Sequence, residues 1–395
     1  MRVCIVCFLI FFFSNELMGW QKSILYNSDN FQPIVSTEIP QGSSEDEVNI
    51  DSTSKIDNSN QSYSYSISPI LGYTSDLGII VGGAFFLYTE NDPGSYFDVR
   101  LMLGFDPFNF QFLSSYKKER IFKNTDFEIR GSYTTFFESY FGEGSNTDVD
   151  DYMRIYGSHY SLNSYVRFFI NDKFSVTGGF DFRGRVESSI RMNEEKDVIL
   201  KDTNNVNIRL FPDENTLALN LGLHFDDRDN IYSTTKGSLH EIGVSYVPSL
   251  FSNLDIDNGS LQIEAESRWF KSLFLRDLVL AGRIAGGYSL NEPSYLYRYK
   301  LGGSNVLRGY YHNRFRGKYY YILQAEVRYP IWKSISGVVF TDIGDITDND
   351  FKTPKFCYGP GLRLGLPPDY LIKVRLDIGF ASDQWSIFFT FGQSF

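Results

Sequence analysis

From residue 61 to its last residue the chain repeats one pattern: about ten residues in which apolar and polar side chains alternate, a turn, and about ten more. In "YLIKVRLDIGF" (370–380), Ile372, Val374, Leu376 and Ile378 point one way, while Lys373, Arg375 and Asp377 point the other. In "LQIEAESRW", Leu261, Ile263, Ala265, Ser267 and Trp269 oppose Gln262, Glu264, Glu266 and Arg268. In "DFEIRGSYT", Phe127, Ile129 and Tyr133 oppose Asp126, Glu128, Arg130 and Ser132. A period of two marks a strand with one apolar face. It predicts strands near 63–73, 78–89, 95–104, 108–117, 124–137, 154–170, 174–187, 213–225, 237–247, 258–271, 277–290, 319–330, 336–345, 357–366, 370–381 and 385–395, sixteen in all.

One such segment alone suits a soluble antiparallel sheet with one wet face. Here the pattern persists over residues 61–395, and no amphipathic helix of three turns interrupts it to cover the apolar faces. So many one-faced strands need a second sheet or lipid against them. Charges in file on one face, with aromatics at the strand ends, favour lipid outside and water or a polar plug inside. The predicted fold is therefore all-β, a sixteen-stranded antiparallel transmembrane β-barrel. Brief connections, such as 171–173 and 367–369, follow even strands, whereas the long ones (138–153, 188–212 and 291–318) follow odd strands. Short periplasmic turns and long outer loops place both ends of the barrel in the periplasm. The first strand, "SYSYSISPILGY", carries Pro69 and several Ser residues, so it is expected to pair weakly with the last and to leave a seam that opens.

Composition agrees with strands and turns: 17% of residues are aromatic, with 36 Phe, 27 Tyr and 33 Gly. The formal net charge of −11 argues against a nucleic-acid partner. At the amino end, Arg2 precedes an unbroken apolar run from Val3 to Phe13, too short to span a bilayer as a helix but suited to a signal peptide, here residues 1–19. Residues 20–60 are polar and aperiodic and read as a disordered periplasmic leader. Of the three cysteines, Cys4 and Cys7 fall in the signal segment, so Cys357 is left without a disulfide partner in the exported chain. The expected location is the bacterial outer membrane.

Three separated segments resemble one family. "GGSNVLRGY" (302–310) resembles the Val-Arg-Gly-Phe/Tyr loop motif of the bacterial surface antigen superfamily, the barrels of barrel-assembly, translocation-and-assembly and two-partner-secretion transporters. "VVFTDIGDI" (338–346) resembles its Phe-x-Asp-x-Gly strand, and "FDDRDNIYSTTKG" (225–237) its Asp-x-Arg-Asp turn, without the Pro that often follows there. The resemblance spans residues 61–395 and implies that the sixth outer loop folds into the barrel, with Arg308, Gly309 and Tyr310 at its motif. By parity Gln324, Glu326 and Arg328 face the lumen on the twelfth strand, and Phe340, Asp342 and Gly344 on the thirteenth. A planar Arg fork suits two carboxylates, so Arg308 is expected to latch onto Glu326 and Asp342. An exposed Arg308 pair would contribute about 0–1 kcal/mol; a buried one, when broken, would cost roughly 3–5 kcal/mol. Asp227, Arg228, Asp229 and Gly237 are expected to brace the periplasmic rim. Phe391 and Phe395, on lipid-facing parity, resemble the carboxy-terminal signal read by barrel-assembly machinery.

The resemblance implies insertion, assembly or translocation of protein or lipid at the outer membrane, with membrane lipid and periplasmic or outer-membrane assembly proteins as partners and a monomeric barrel. The leader is too short and aperiodic for the polypeptide-transport-associated domains of that superfamily, so the chain is read as lacking them. The alternative is a plugged structural or passive-diffusion barrel whose outer loops bind at the surface. No enzyme is expected: His159, His224, His240 and His312 show no ligand spacing, and neither Gly-x-Ser-x-Gly nor His-Glu-x-x-His occurs. No cofactor or metal is expected.

Overall fold

A computed structural model describes residues 63–74, 78–89, 92–105, 108–192, 213–249, 259–273, 278–332, 334–365, 370 and 373–395. The signal peptide (1–19), the leader (20–60), most of the connection 188–212 and the turn 367–369 lie outside the described residues.

Sixteen strands form one antiparallel sheet in chain order, the wall of a β-barrel. They are β1 (Tyr63–Thr74), β2 (Gly78–Thr89), β3 (Asp92–Phe105), β4 (Phe108–Phe122), β5 (Thr125–Tyr140), β6 (Met153–Phe169), β7 (Phe174–Met192), β8 (Glu214–Asp226), β9 (Gly237–Val247), β10 (Ser260–Leu273) and β11 (Leu278–Leu290), then β14 (Tyr319–Trp332), β15 (Ile335–Thr347), β16 (Lys355–Gly365), β17 (Lys373–Phe380) and β18 (Trp385–Phe391). Two further strands, β12 (Tyr299–Leu301) and β13 (Phe315–Gly317), pair with each other inside the connection between β11 and β14, and Arg316 of β13 also bridges to Gly144. Three residues are too few for alternation to reveal.

The rows of side chains follow the parity of the sequence. On β14, Leu323, Ala325 and Val327 face outward, while Gln324, Glu326 and Arg328 are buried in the lumen. Facing hydrocarbon, each backbone N–H and C=O must be satisfied by a neighbouring strand, which the ladders provide from β1 round to β18. The wall is uneven: β6 and β7 have 17 and 19 residues, β17 and β18 only 8 and 7. Among the described residues no hydrogen-bonded ladder joins β18 to β1.

The carboxy-terminal stretch departs from its expected course. The strand predicted for 385–395 ends at Phe391, because Gly392 takes a φ of 80° and breaks the period of two. The residues after it turn inward. Phe395 is buried against Phe270 and Ala281, and Arg328 donates from Nη2 to its carbonyl oxygen at 3.0 Å. The lipid-facing position expected of Phe395 is thus corrected to a lumenal one; the side chain of Phe391 lies outside what is described.

Candidate functional site

The connection 291–318 has an apolar core of its own. Tyr299, Leu301, Leu307, Tyr310 and Phe315 cluster with Ala285, Ile322, Ile346 and Cys357 on the inner wall. Leu307 has a φ of 50° and accepts a hydrogen bond at its carbonyl from the Tyr310 N–H (2.9 Å), a tight turn that presents Arg308 to the wall. Gly309 sits where a Cβ would come within 2.6 Å of Cβ of Cys357, so the backbone approaches β16 as only glycine permits.

Arg308 is fully buried. Its Nε and Nη2 donate to Asp342 Oδ2 (2.9 Å) and Oδ1 (2.6 Å), and its backbone N–H adds a third bond to Oδ2 (3.0 Å). Nη1 bonds Glu326 and also Ser394 Oγ (3.1 Å), and Ser394 in turn donates to Glu326 (2.6 Å). The guanidinium lies 3.7 Å from the centroid of the Phe340 ring. Asp377 stands 3.8 Å from Nη1 and is itself held by Arg363 (2.5 Å). Arg375 reaches the loop at Ser304 O (3.0 Å) and Asn305 Oδ1 (2.8 Å). Buried charges persist only where partners and hydrogen bonds satisfy them, and here every carboxylate has an Arg.

The stem of the same connection is fastened elsewhere. Glu138 on β5 accepts from Arg316, from Lys300 Nζ (3.0 Å) and from the Tyr295 hydroxyl (2.7 Å). β5 and β15 are the fifth and thirteenth strands of the sixteen, half-way round the wall from each other. The hairpin therefore crosses the lumen and is tied to both sides. The connection 141–152 covers it from the long-loop end, with Gly144 N–H donating to Arg316 O (2.6 Å) and Arg314 bonding Thr147 O (2.8 Å). Ser145 reaches across to Asp345 (2.5 Å).

A family model of the Omp85 superfamily domain matches residues 93–395. The chain belongs to the Omp85 superfamily. The match begins in β3, later than the residue 61 at which the resemblance was expected to start. BamA from Haemophilus ducreyi lacking POTRA domains 1-3 has a similar structure, with a TM-score of 0.55 at 14% identity over 84% of this chain and 70% of that one. CdiB from Acinetobacter baumannii (0.56, 12%, 84% and 65%) and CdiB from Escherichia coli (0.57, 11%, 83% and 61%) are also similar. Identities this low establish a shared fold, and the chain spans less than two thirds of either CdiB structure. No curated protein matches it. Membership of Omp85 implies the bacterial outer membrane as its location.

Within this Omp85 barrel the residues singled out from sequence divide into two groups. Arg308, Glu326 and Asp342 meet, with Gly309 and Tyr310 following Arg308 in the loop; Tyr310 is buried edge-to-face on Phe315 (5.0 Å), and Gly344, two residues beyond Asp342 on β15, is placed where a Cβ would lie 2.8 Å from Tyr321 O. Asp227, Arg228, Asp229 and Gly237 form a separate turn. Ser394 and Glu138 were not foreseen, nor was the place of lumenal Asp377 beside Arg308, nor Gly379, where a Cβ would overlap the carbonyl of Arg308. That carbonyl is backbone and cannot swing aside. Gly379→Ala is expected to lower stability by about 1–3 kcal/mol in urea unfolding from vesicles. A loss under about 0.5 kcal/mol, the level of an ordinary surface change, would mean that the loop does not rest on β17. Among the described residues no group of three His, Cys, Asp or Glu is placed to hold a metal.

The turn after β8 is built on aspartates. Asp227 Oδ1 accepts from the Ser238 N–H (2.6 Å) and hydroxyl (2.9 Å), and Asp229 accepts from the N–H groups of Thr235 (2.9 Å) and Lys236 (3.1 Å). Arg228 forks onto Asp226 at 2.9 and 2.7 Å, and Gly237 has a φ of 99°. The Ser238 bonds hold the Asp227 carboxyl below its usual range. Burial would raise Asp229, but its hydrogen bonds outweigh burial and lower it too. With folded pKa values below the unfolded ones, the turn's ionic contribution is complete above about pH 4 and is lost as pH falls through the lowered values. Amide protection at Lys236 and Ser238 should therefore be flat near neutrality and fall below about pH 4. Constant protection down to pH 2 would contradict it.

Proposed function

We propose that this Omp85 barrel acts in insertion, assembly or translocation of protein or lipid at the outer membrane, with the Arg308 loop as an internal latch. The observation that supports it most directly is the buried Arg308 between Glu326 and Asp342, beside a β18 that shares no ladder with β1 among the described residues. A latch set next to an unladdered seam is the arrangement that a barrel opening toward the membrane requires. BamA and CdiB, whose fold is similar, suggest assembly or partner proteins as what it meets. Hydrogen exchange tests the reading: β1 should exchange faster than β14 and β15, which have ladders on both sides. Equal protection of β1, β14 and β15 would refute an openable seam.

A second reading, a plugged structural or passive barrel with binding at its outer loops, draws on the same hairpin, since a lumen bridged from wall to wall is also a static plug. Single-channel recording separates the two: near-silence broken by rare openings fits the gated barrel, and a steady large conductance fits passive diffusion.

A further inference from the structure

The stem of the lumenal hairpin carries more positive charge than its own carboxylate answers. Lys300 Nζ and Arg316 Nη2 both lean on one oxygen, Oε1 of Glu138, and Asn313 Nδ2 points to the same atom at 3.4 Å. The other oxygen of Glu138 is taken by Tyr295. Arg316 is 1% exposed, yet its Nε and Nη1 have no hydrogen-bond partner, and neither does Nε2 of His312, two residues before Arg314 in the same turn. The nearby acids are engaged: Glu143 takes Arg298 (3.0 Å) and the Tyr140 hydroxyl (3.0 Å), and Glu214 takes Thr216 (3.0 Å) and the Leu296 N–H (3.3 Å). The Tyr295 ring has Arg316 4.8 Å and Arg185 4.5 Å from its centroid, so a second guanidinium adds to the local potential.

A buried cation with unused donors is costly unless a counter-charge answers it. Burial, and then Arg316, push the Lys300 ammonium down to about 7 against the pull of Glu138, as befits a cation short of negative charge. We propose that Lys300, Arg316 and His312 form a binding site for a phosphate-type oxyanion, with Glu138 holding the two cations when the site is empty. The unused Nε and Nη1 of Arg316 each leave N–H groups unanswered, and a charged oxygen of a phosphate is a strong acceptor for either. Lys300 supplies a compact point charge from Nζ, beside Arg316 on the same carboxylate oxygen. His312, whose imidazole burial pushes down to about 4, enters as a neutral ring with one N–H to give. The anion and Glu138 draw on the same cations and therefore compete. The source is either free phosphate or the phosphate of a lipid headgroup at the long-loop end of the barrel.

The test uses the whole protein in a phosphate-free detergent, titrated with inorganic phosphate by calorimetry. Saturable binding is expected, weakened about tenfold or more by Arg316→Gln and by Lys300→Gln, and tightened by Glu138→Gln, which removes the competitor. The gain in Glu138→Gln cannot come from misfolding, so it separates a site from a merely structural cluster. Heat-shifted gel mobility checks that the two weakened variants still form the barrel. Adding a diphosphorylated glycolipid identifies the source: if it displaces inorganic phosphate and its dephosphorylated form does not, the site takes headgroups, and if neither displaces it, the site takes the free ion. Absence of saturable binding in the wild type, or equal affinity in the wild type, Arg316→Gln and Glu138→Gln, would overturn the proposal.

Discussion

Replacing Arg308 by Ala is expected to cost roughly 3–5 kcal/mol of stability, because it leaves Glu326 and Asp342 buried without the cation they share. The loss should appear as a lower temperature for the gel-mobility shift of the folded barrel and as faster exchange of the Leu307–Gly309 amides. Arg308→Lys tests whether shape matters as well as charge. A single ammonium cannot reproduce the two-pronged bond to Asp342 together with the bond to Glu326, so Lys should recover only part of the loss. Neutralising the wall instead, with Asp342→Asn in the Arg308→Ala background, should restore some stability by removing the stranded charge, whereas Glu326 keeps Arg328 at 2.8 Å. If Arg308→Ala matches the wild type in both measurements, Arg308 does not fasten the loop.

The second large effect is expected at Glu138, on the opposite wall. Glu138→Ala leaves Lys300 and Arg316 buried side by side with no carboxylate between them, a change of about 3 kcal/mol or more. The more informative quantity is its coupling to Arg308. Distant sites with no common partner add to within about 0.5 kcal/mol. Here the two anchors share one hairpin, stiffened by the β12–β13 pair and by the core around Leu307 and Phe315. Once either end is free, the other should be worth less. The Arg308→Ala, Glu138→Ala double variant is expected to fall short of the sum of the singles by about 1 kcal/mol or more. Strict additivity would show two independent contacts in place of a strut.

The wall was legible because a period of two leaves no freedom: one charged face and one apolar face, strand after strand, specify which side meets lipid. The same parity put Glu326, Asp342 and Asp377 in the lumen, and the order of three short motifs singled out Arg308. Other parts escaped for physical reasons. Glu138 reads from its strand as one more lumenal acid, and its partners Lys300 and Arg316 lie more than 150 residues away, brought to it only by the path of the loop. β12 and β13 are too short to show a period. Phe395 was misplaced because one glycine with positive φ cancels the alternation that parity assumes. Gly379 looked like an ordinary member of "LDIGF" until the Arg308 backbone came to rest on it.

Gly392 has one more consequence. By turning the chain inward it brings Ser394 to Arg308 and Glu326, while Gln384 and Ser386, on the same final hairpin, hold the carbonyl of Gly309 at 3.2 and 3.3 Å. The strand that borders the seam is thus itself a ligand of the loop tip. Displacement of β18 and release of the loop then share a single coupling free energy, and thermodynamic reciprocity requires each to promote the other by the same factor. A force that pries at the edge of the sheet would loosen the lumen without entering it.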